Sequence, residues 1–429
     1  MLIASVEVRA VGDQHGWNFY SDDVSLRSTL TICRIRTNCG AEGVGGVTQY
    51  GEHAFDATTA TNLVRHLAPK LIGRDPAMRE EITASLACGV YPAAPHSTAA
   101  VDIALWDLLG NVSGVPLYVL LGGSRSFLPV QWSSPSFQTV PEYLTWCDEA
   151  LESGCRRLKI HGFMSFERDK ALVREVKRHV DAYFKRKRRP PSENAAAAAP
   201  ATLSATAAAA PATLSAAVGV PALLESTPRS EEGPQKVYLS LDCECLYAFD
   251  DAKRMATLLA ELDYDWFEGP LPDRDFGLYA DLTRRSSVDI LPGGNQVADL
   301  QSFAQGCQRG CWSRARFDVT VCGGITQAKK YFAVAEAHGI RTEIQSWGHT
   351  LTAAANLHVM LGLGGTRHGS SHFELAVPKE IYEVGMKDKL TFAPFATADP
   401  TVKGGGGGGG ICAAERTALK GMHSSNTHQ

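Results

Sequence analysis

VYLSLDCECLYAFDDAKRMATLLAELDYDWFEGP, residues 237–270, decides the fold. A short aliphatic and aromatic run ends in Asp242. DDAKRMATLLAELD follows, with apolar residues recurring at intervals of three and four, and a second short run then ends in Glu268. Strand, helix, strand is the repeating unit of a parallel sheet. The same beat extends outward in both directions through LPVQWSS (128–134), RRLKIH (156–161), VDILPGGN (288–295), ARFDVT (315–320), GIRTEIQ (339–345) and SSHFEL (370–375), with helical patterns such as TQAKKYFAVAEAHG between them. Eight strand-then-helix units predict an α/β fold, a TIM-type (β/α) barrel over residues 126–390. Active sites of such barrels lie at the C-terminal ends of the strands, where the polar residues of these runs fall.

Residues 1–125 do not follow that beat. They open with strands, MLIASVEVRAVG and the long alternating run from Ser28 to Thr37, and end in helices, the last being HSTAAVDIALWDLLGNVSG from His96. Val101, Ala104, Leu105, Leu108 and Val112 form one apolar stripe, and Gly114 with Pro116 supplies the stop. An N-terminal α+β domain ahead of the barrel is the expected arrangement.

Two segments do not belong to a compact fold. Residues 187–236 carry AAAAPATLSA at 196–205 and again at 207–216. Alanine and proline with almost no aromatic residues bury too little surface to offset the entropy of ordering, so a disordered insertion is expected. It falls after a helix and before a strand, which hangs it from the barrel face opposite the site. The seven-glycine run Gly404–Gly410 predicts a flexible tail over 391–429. Lys185-Arg186-Lys187-Arg188-Arg189 borders the insertion and reads as a solvated helix end rather than a nucleic-acid patch, because cations suit a helix C-terminus.

A length of 429 residues suits two domains, and 44% hydrophobic residues with a formal net charge of -4 give no reason to expect nucleic-acid binding. The N-terminus has no basic segment followed by a long apolar one, and no stretch is long enough to span a bilayer, so neither a secretory signal nor a membrane partner is expected. Eleven cysteines without a paired CxxC framework fit reduced thiols in the cytoplasm. Cys307 and Cys311 have helical spacing, but two thiols alone rarely hold zinc.

AAVDIALWDLLGNVSGVPLYVLLGG (99–123), WFEGP, GGIT (323–326) and NLHVMLGLG resemble, in that order, the mandelate racemase and muconate lactonizing families of the enolase superfamily. The resemblance covers roughly 1–186 and 237–390. It implies a capping domain followed by a barrel, and three strand-end carboxylates that hold Mg²⁺. The ion would bind a small-molecule carboxylate substrate and stabilise the enediolate formed when the α-proton leaves. A proton beside a carboxylate is so weakly acidic that removing it at neutral pH demands such stabilisation, and oxygen ligands suit a hard cation. A homo-oligomer is also implied.

By position, Asp242 and Glu268 match the first two ligands, one βα repeat apart. The third place departs from the family pattern. Gly294-Asn295 stands where Gly-Glu or an aspartate is usual. An Asn295 carbonyl can coordinate Mg²⁺ but brings no charge; the alternative is a neutral strand-end residue at a weakened site. Glu244, two residues after Asp242, lies on the same face and offers the missing charge.

Lys159-Ile160-His161 occupies the place of the family's Lys-x-Lys motif, and alternation turns both outer side chains to one side of the strand. The resemblance gives Lys159 the substrate carboxylate and His161 the place of the base. Histidine is competent there, because its unperturbed pKa lies near neutrality; Lys159 is the base if His161 is inert. The family's Asp-His pair on the opposite face is half present: Asp318 matches the Asp, and the His position falls on Gln345, which cannot take a proton. His349 is a second candidate for that face. Glu374 matches a Glu that hydrogen-bonds the substrate carboxylate when its pKa is raised by burial among other carboxylates. Ser133, Ser134 and the segment His15 to Asp23 are candidate substrate contacts. Together these residues favour a carbon–oxygen lyase that dehydrates an acid sugar. The alternatives are a racemase or epimerase with an unrecognised second base, and a degenerate member that binds without turnover.

Overall fold

The computed structural model describes residues 1–12, 17–21, 24–26, 28–50, 58–87, 94–126, 128–187, 236–348 and 350–376. The Ala/Pro-rich stretch, the Gly-rich tail, His349 and the ends of the His15–Asp23 segment lie outside the described residues.

The N-terminal part is built on an antiparallel sheet of β1 (Ile3–Gly12), β4 (Ser28–Thr37) and β5 (Glu42–Tyr50), ordered β1-β4-β5. A small antiparallel pair, β2 (Trp17–Ser21) with β3 (Val24–Leu26), is inserted between its first two strands. The helix Pro95–Ser113 lies across β5 so closely that a Cβ on Gly45 would stand 2.2 Å from the Ala100 carbonyl oxygen, and one on Gly43 2.2 Å from that of Ala104. Glycine at both places is what lets backbone meet backbone. The helix ends on Gly114, whose φ of 67° is the left-handed cap that Gly114 and Pro116 predict.

One expectation is too narrow. Residues Ser97–Leu108 are buried on every face of this helix, whereas Val112, assigned to the apolar stripe, is 53% exposed. The cause is a second layer. The helix sits between its own sheet and the barrel helix Ile325–Ala337. There the Trp106 indole donates to Thr326 Oγ1 at 2.9 Å and the Thr326 backbone N–H donates to Asp102 Oδ2 at 2.8 Å. A helix packed on two sides shows no single stripe.

Eight parallel strands follow: β6 (Val130–Ser133), β7 (Arg157–His161), β8 (Tyr238–Asp242), β9 (Trp266–Glu268), β10 (Asp289–Leu291), β11 (Arg314–Ala315), β12 (Arg341–Thr342) and β13 (Phe373–Ala376). A helix separates each from the next. Phe249–Glu261 is representative, burying Ala252, Met255, Ala256, Leu258 and Leu259 on one face. The strands are ordered β10-β9-β8-β7-β6-β13, so the last pairs with the first and the sheet curls on itself. β11 and β12 form a separate short pair, shorter than the runs ARFDVT and GIRTEIQ predict. Backbone bonds continue past these bounds, Glu343 N–H to the Ala315 carbonyl at 2.8 Å and Gln345 N–H to the Phe317 carbonyl at 2.9 Å, and side chains take over part of the ladder toward the neighbouring strand. The Ile344 N–H donates to Ser370 Oγ at 2.8 Å and the Ser371 N–H to Glu343 Oε2 at 3.0 Å, while Ser313 N–H reaches the Ile290 carbonyl at 2.9 Å on the other side. At the N-terminal ends of the strands Arg314 is tied to Asp265, Asp289 and Glu343 at 3.2, 2.7 and 3.4 Å. That cluster closes the lower end of the barrel and leaves the upper end for chemistry.

Candidate active site

Strand register sets the site. His161 pairs with Asp242, Asp242 with Glu268 and Glu268 with Leu291, so the last residues of β7, β8, β9 and β10 form one rung across the mouth. A parallel ladder turns equivalent side chains the same way, which brings the first three functional groups together. Lys159, two residues before His161, projects to the same side one step deeper. Its Nζ lies 2.9 Å from Asp242 Oδ2, 2.8 Å from Glu268 Oε1 and 2.7 Å from Glu374 Oε1. Arg316, from the segment after β11, reaches Glu268 Oε1 at 2.9 Å and Glu374 Oε2 at 2.5 Å. Two cations and three carboxylates thus interlock, each of the five at most 5% exposed.

Buried charges in contact set one another's protonation. Burial opposes ionisation of all three acids. Against it, Lys159 with the His161 hydrogen bond holds Asp242 well below the usual range, and Lys159 with Arg316 keeps Glu374 down at about 2. Glu268, flanked by the two like charges, is pushed up to about 8 by burial despite Arg316 and Lys159. The raised pKa expected of Glu374 is therefore not found. Its two oxygens face two fixed cations.

His161 caps the network. Its ring Nδ1 meets the Ser134 carbonyl at 2.5 Å, and a carbonyl only accepts, so Nδ1 carries the hydrogen and Nε2 is the proton-exchanging atom. Nε2 lies 3.4 Å from Asp242 Oδ2 and 3.2 Å from Glu244 Oε1. Ser134 Oγ accepts from the His161 N–H at 3.1 Å, and the Tyr143 hydroxyl donates to the His161 carbonyl at 2.5 Å, so backbone and ring are both fixed. The Trp347 ring stands 5.1 Å from the imidazole. Burial pushes the imidazole pKa down, but the Asp242 and Glu244 carboxylates outweigh it and hold it at about 10. Glu244 reaches this place on a backbone with φ of 49°, followed by Cys245 at 62°, a double left-handed turn that side chains rarely adopt.

Other sequence candidates are placed differently. Asn295 is exposed on the turn after β10, four residues beyond the Leu291 rung, and stands outside the network that joins the buried groups. That turn is pinned from beneath by Asp273, whose carboxylate accepts from the N–H groups of Gly293 at 2.7 Å, Gly294 at 2.9 Å and Gln296 at 3.3 Å. Asp318 is buried and spends Oδ1 on Thr320 N–H, Thr320 Oγ1 and Asn356 Nδ2 at 2.7, 2.8 and 3.0 Å; no Asp318–Gln345 bond joins the two among the described residues. Gln345 keeps a buried side-chain oxygen without a partner, as do Ser133 and Gln131. Cys307 and Cys311 are buried at the foot of a barrel helix, where Cys311 Sγ points at the Phe276 carbonyl. Sequence reading missed Arg316 and Trp347. The signal for Arg316 was present, since it is two residues before Asp318 and alternation puts both on the inner side.

A hard divalent cation fits the donor set. Asp242 and Glu268 supply oxygens on adjacent strands. Among the described residues, His161, Asp242 and Glu244 also present ligand atoms within 4.8 Å of one another.

Residues 21–122 match the mandelate racemase/muconate lactonizing enzyme N-terminal domain, and residues 227–409 match the enolase C-terminal domain-like family. A D-galactonate dehydratase family member of Streptomyces bingchenggensis is 28% identical over 336 residues, 76% of each chain. The D-mannonate dehydratase of Caulobacter vibrioides is 27% identical over 353 residues, 77% of this chain and 78% of that one. A local match of 44% to the D-mannonate dehydratase of Xanthomonas oryzae pv. oryzicola spans 23% of each chain. Among solved structures, a mandelate racemase/muconate lactonizing enzyme homologue from Pseudovibrio superposes with a TM-score of 0.79 at 29% identity, covering 98% of this chain and 96% of that one.

Proposed function

The chain belongs to the mandelate racemase/muconate lactonizing enzyme family of the enolase superfamily, and from that premise we propose that it is a Mg²⁺-dependent lyase that dehydrates an acid sugar or related hydroxy acid. The observation that carries the reading is the asymmetry of the mouth among the described residues, His349 lying outside them. One face holds an oriented histidine beside acidic groups; on the other, Gln345 offers no proton-taking atom and Asp318 is committed to Thr320 and Asn356. Removing an α-proton and expelling a β-hydroxyl from one face needs a single acid–base group, whereas inversion by the usual route needs a base on each face. The relatives in Streptomyces bingchenggensis and Caulobacter vibrioides, acid-sugar dehydratases by name, support the substrate class.

Asp242 and Glu268 would hold the cation, with Glu244 within reach; Asn295, exposed on the turn after β10, would have to move inward to add its uncharged carbonyl. When bound it would supply positive charge against the second negative charge that develops on the substrate carboxylate. His161 Nε2 takes the α-proton, with Ser134 fixing the tautomer and Tyr143 the strand end. With a pKa of about 10 set by its two carboxylate neighbours, the imidazole is a cation at neutral pH, so it works as a base only when positive charge offsets Asp242 and Glu244. The same Nε2–H is then placed to protonate a hydroxyl leaving on its own face. Lys159 supplies a buried cation for the substrate carboxylate.

The test is a screen of acid sugars with Mg²⁺ for formation of the corresponding 2-keto-3-deoxy acid. Turnover of at least one, lost in EDTA and restored by Mg²⁺, supports the proposal; Mg²⁺-dependent inversion at the α-carbon with the hydroxyl retained would replace it with an epimerase.

A further inference from the structure

Arg316 is a buried charged side chain in direct contact with the ligand set that the proposed metal and acid–base chemistry leave unused. Its guanidinium shares a single oxygen, Glu268 Oε1, with Lys159, at 2.9 and 2.8 Å. The other oxygen of Glu268 accepts from the Trp266 indole at 3.2 Å. Both oxygens of this carboxylate are thus engaged, one of them by two cations at once. Arg316 also carries a buried Nε without a hydrogen-bond partner. It cannot readily retreat, because its Cγ lies beneath Gly294, where an added Cβ would come within 3.0 Å of it. A guanidinium stays charged at any accessible pH, so its field is permanent.

Charges at the mouth sharpen the point. Asp242, Glu244, Glu268 and Glu374 bring four negative charges when ionised, and Lys159, Arg316 and the protonated His161 return three positive ones. A divalent ion that takes an oxygen of Glu268 must share that carboxylate with a fixed cation a few ångströms away, where like charges repel strongly even at an effective dielectric of about 20.

We propose that Arg316 competes with the divalent cation for Glu268 and sets the metal affinity of this site, holding it weaker than the carboxylates alone would make it. The inference rests on the metal reading above and concerns the strength of that site. Arg316 acts through Glu268 and is a positioning residue, not a catalytic one.

Titration calorimetry with Mn²⁺ alone, on the full chain, compares wild type with Arg316→Gln and Arg316→Lys. Gln keeps an amide to hydrogen-bond Glu374 but removes the charge, and Lys keeps the charge. Arg316→Gln is expected to bind Mn²⁺ about tenfold or more tightly than wild type, and Arg316→Lys within about threefold of it. Circular dichroism confirms that each variant is folded; should the Gln variant not fold, Arg316→Met paired with Glu374→Gln keeps the net core charge and is expected to show the same tightening. Equal or weaker Mn²⁺ binding by a folded charge-free variant overturns the role of Arg316 while leaving the metal site standing. No Mn²⁺ binding by any of the proteins overturns this inference and the metal half of the proposed function together.

Discussion

Lys159 and Glu268 meet at 2.8 Å in the centre of the barrel, each only 2% exposed, on strands that both border β8. The contact joins a candidate substrate-binding cation to a candidate metal ligand, so folding energy and chemistry depend on the same pair.

Lys159→Met should therefore destabilise the chain. Removing one partner of a buried ion cluster leaves carboxylates uncompensated, which costs about 3–5 kcal/mol. Urea unfolding should show that loss, and added Mg²⁺ should recover more stability in the variant than in wild type, because a ligand that binds only the folded state stabilises it. Unchanged unfolding would mean that the cluster does not form.

His161→Asn should keep the fold and lose about 10²–10⁴-fold in turnover, the usual worth of general acid–base catalysis. Asparagine can still occupy the space beside Ser134 but has no titratable nitrogen. Full turnover in this variant would remove His161 from the mechanism and leave Lys159 as the candidate base.

The barrel was legible because a period of strand, helix, strand survives in local residue choice, and β4 runs over the same Ser28–Thr37 that alternation predicts. Lys159, His161, Asp242 and Glu268 were legible because strand-end polarity and a two-residue alternation are local properties. What stayed hidden depends on contacts distant in sequence. The two-sided burial of Pro95–Ser113 comes from packing against Ile325–Ala337, and the Ser370 and Glu343 side chains that tie the β12 segment to the chain before β13 join residues far apart in sequence. The state of Glu374 was misjudged for the same reason: burial was foreseen, but Lys159 and Arg316, which together override it, meet it only in the fold, Arg316 from 58 residues away.

Asp102 gives a pH-dependent prediction away from the site. Burial raises its carboxyl to about 6, against the pull of Thr326, Thr83 and Arg79. The folded state therefore holds this proton more tightly than the unfolded chain does, and the stability it brings is present below the ordinary Asp range and lost as pH rises through about 6. Asp102→Asn lacks that loss. The stability of wild type relative to the variant should fall by about 3 kcal/mol between roughly pH 3.5 and pH 7. Denaturant unfolding at several pH values measures it, and a pH-independent gap would contradict the assignment.

Gly45→Ala should separate the N-terminal sheet from its helix. The added methyl would lie 2.2 Å from the Ala100 carbonyl and 2.7 Å from the Ala104 N, both backbone atoms that cannot rotate away. A loss of about 1–3 kcal/mol or more is expected. Thermal unfolding reads it directly; Gly40→Ala, where no atom lies within 4 Å, tests the cost of positive φ alone.

The central claim is metal-assisted dehydration that begins when His161 removes the α-proton. Proton NMR of acid sugars incubated with the enzyme and Mg²⁺ in deuterium oxide tests it most directly. The account predicts a 2-keto-3-deoxy product carrying one solvent deuterium on the β-carbon that lost its hydroxyl, absent without Mg²⁺ and in His161→Asn. Deuterium washing into the α-carbon while the β-hydroxyl stays in place, or product formed equally well without any divalent cation, would contradict it.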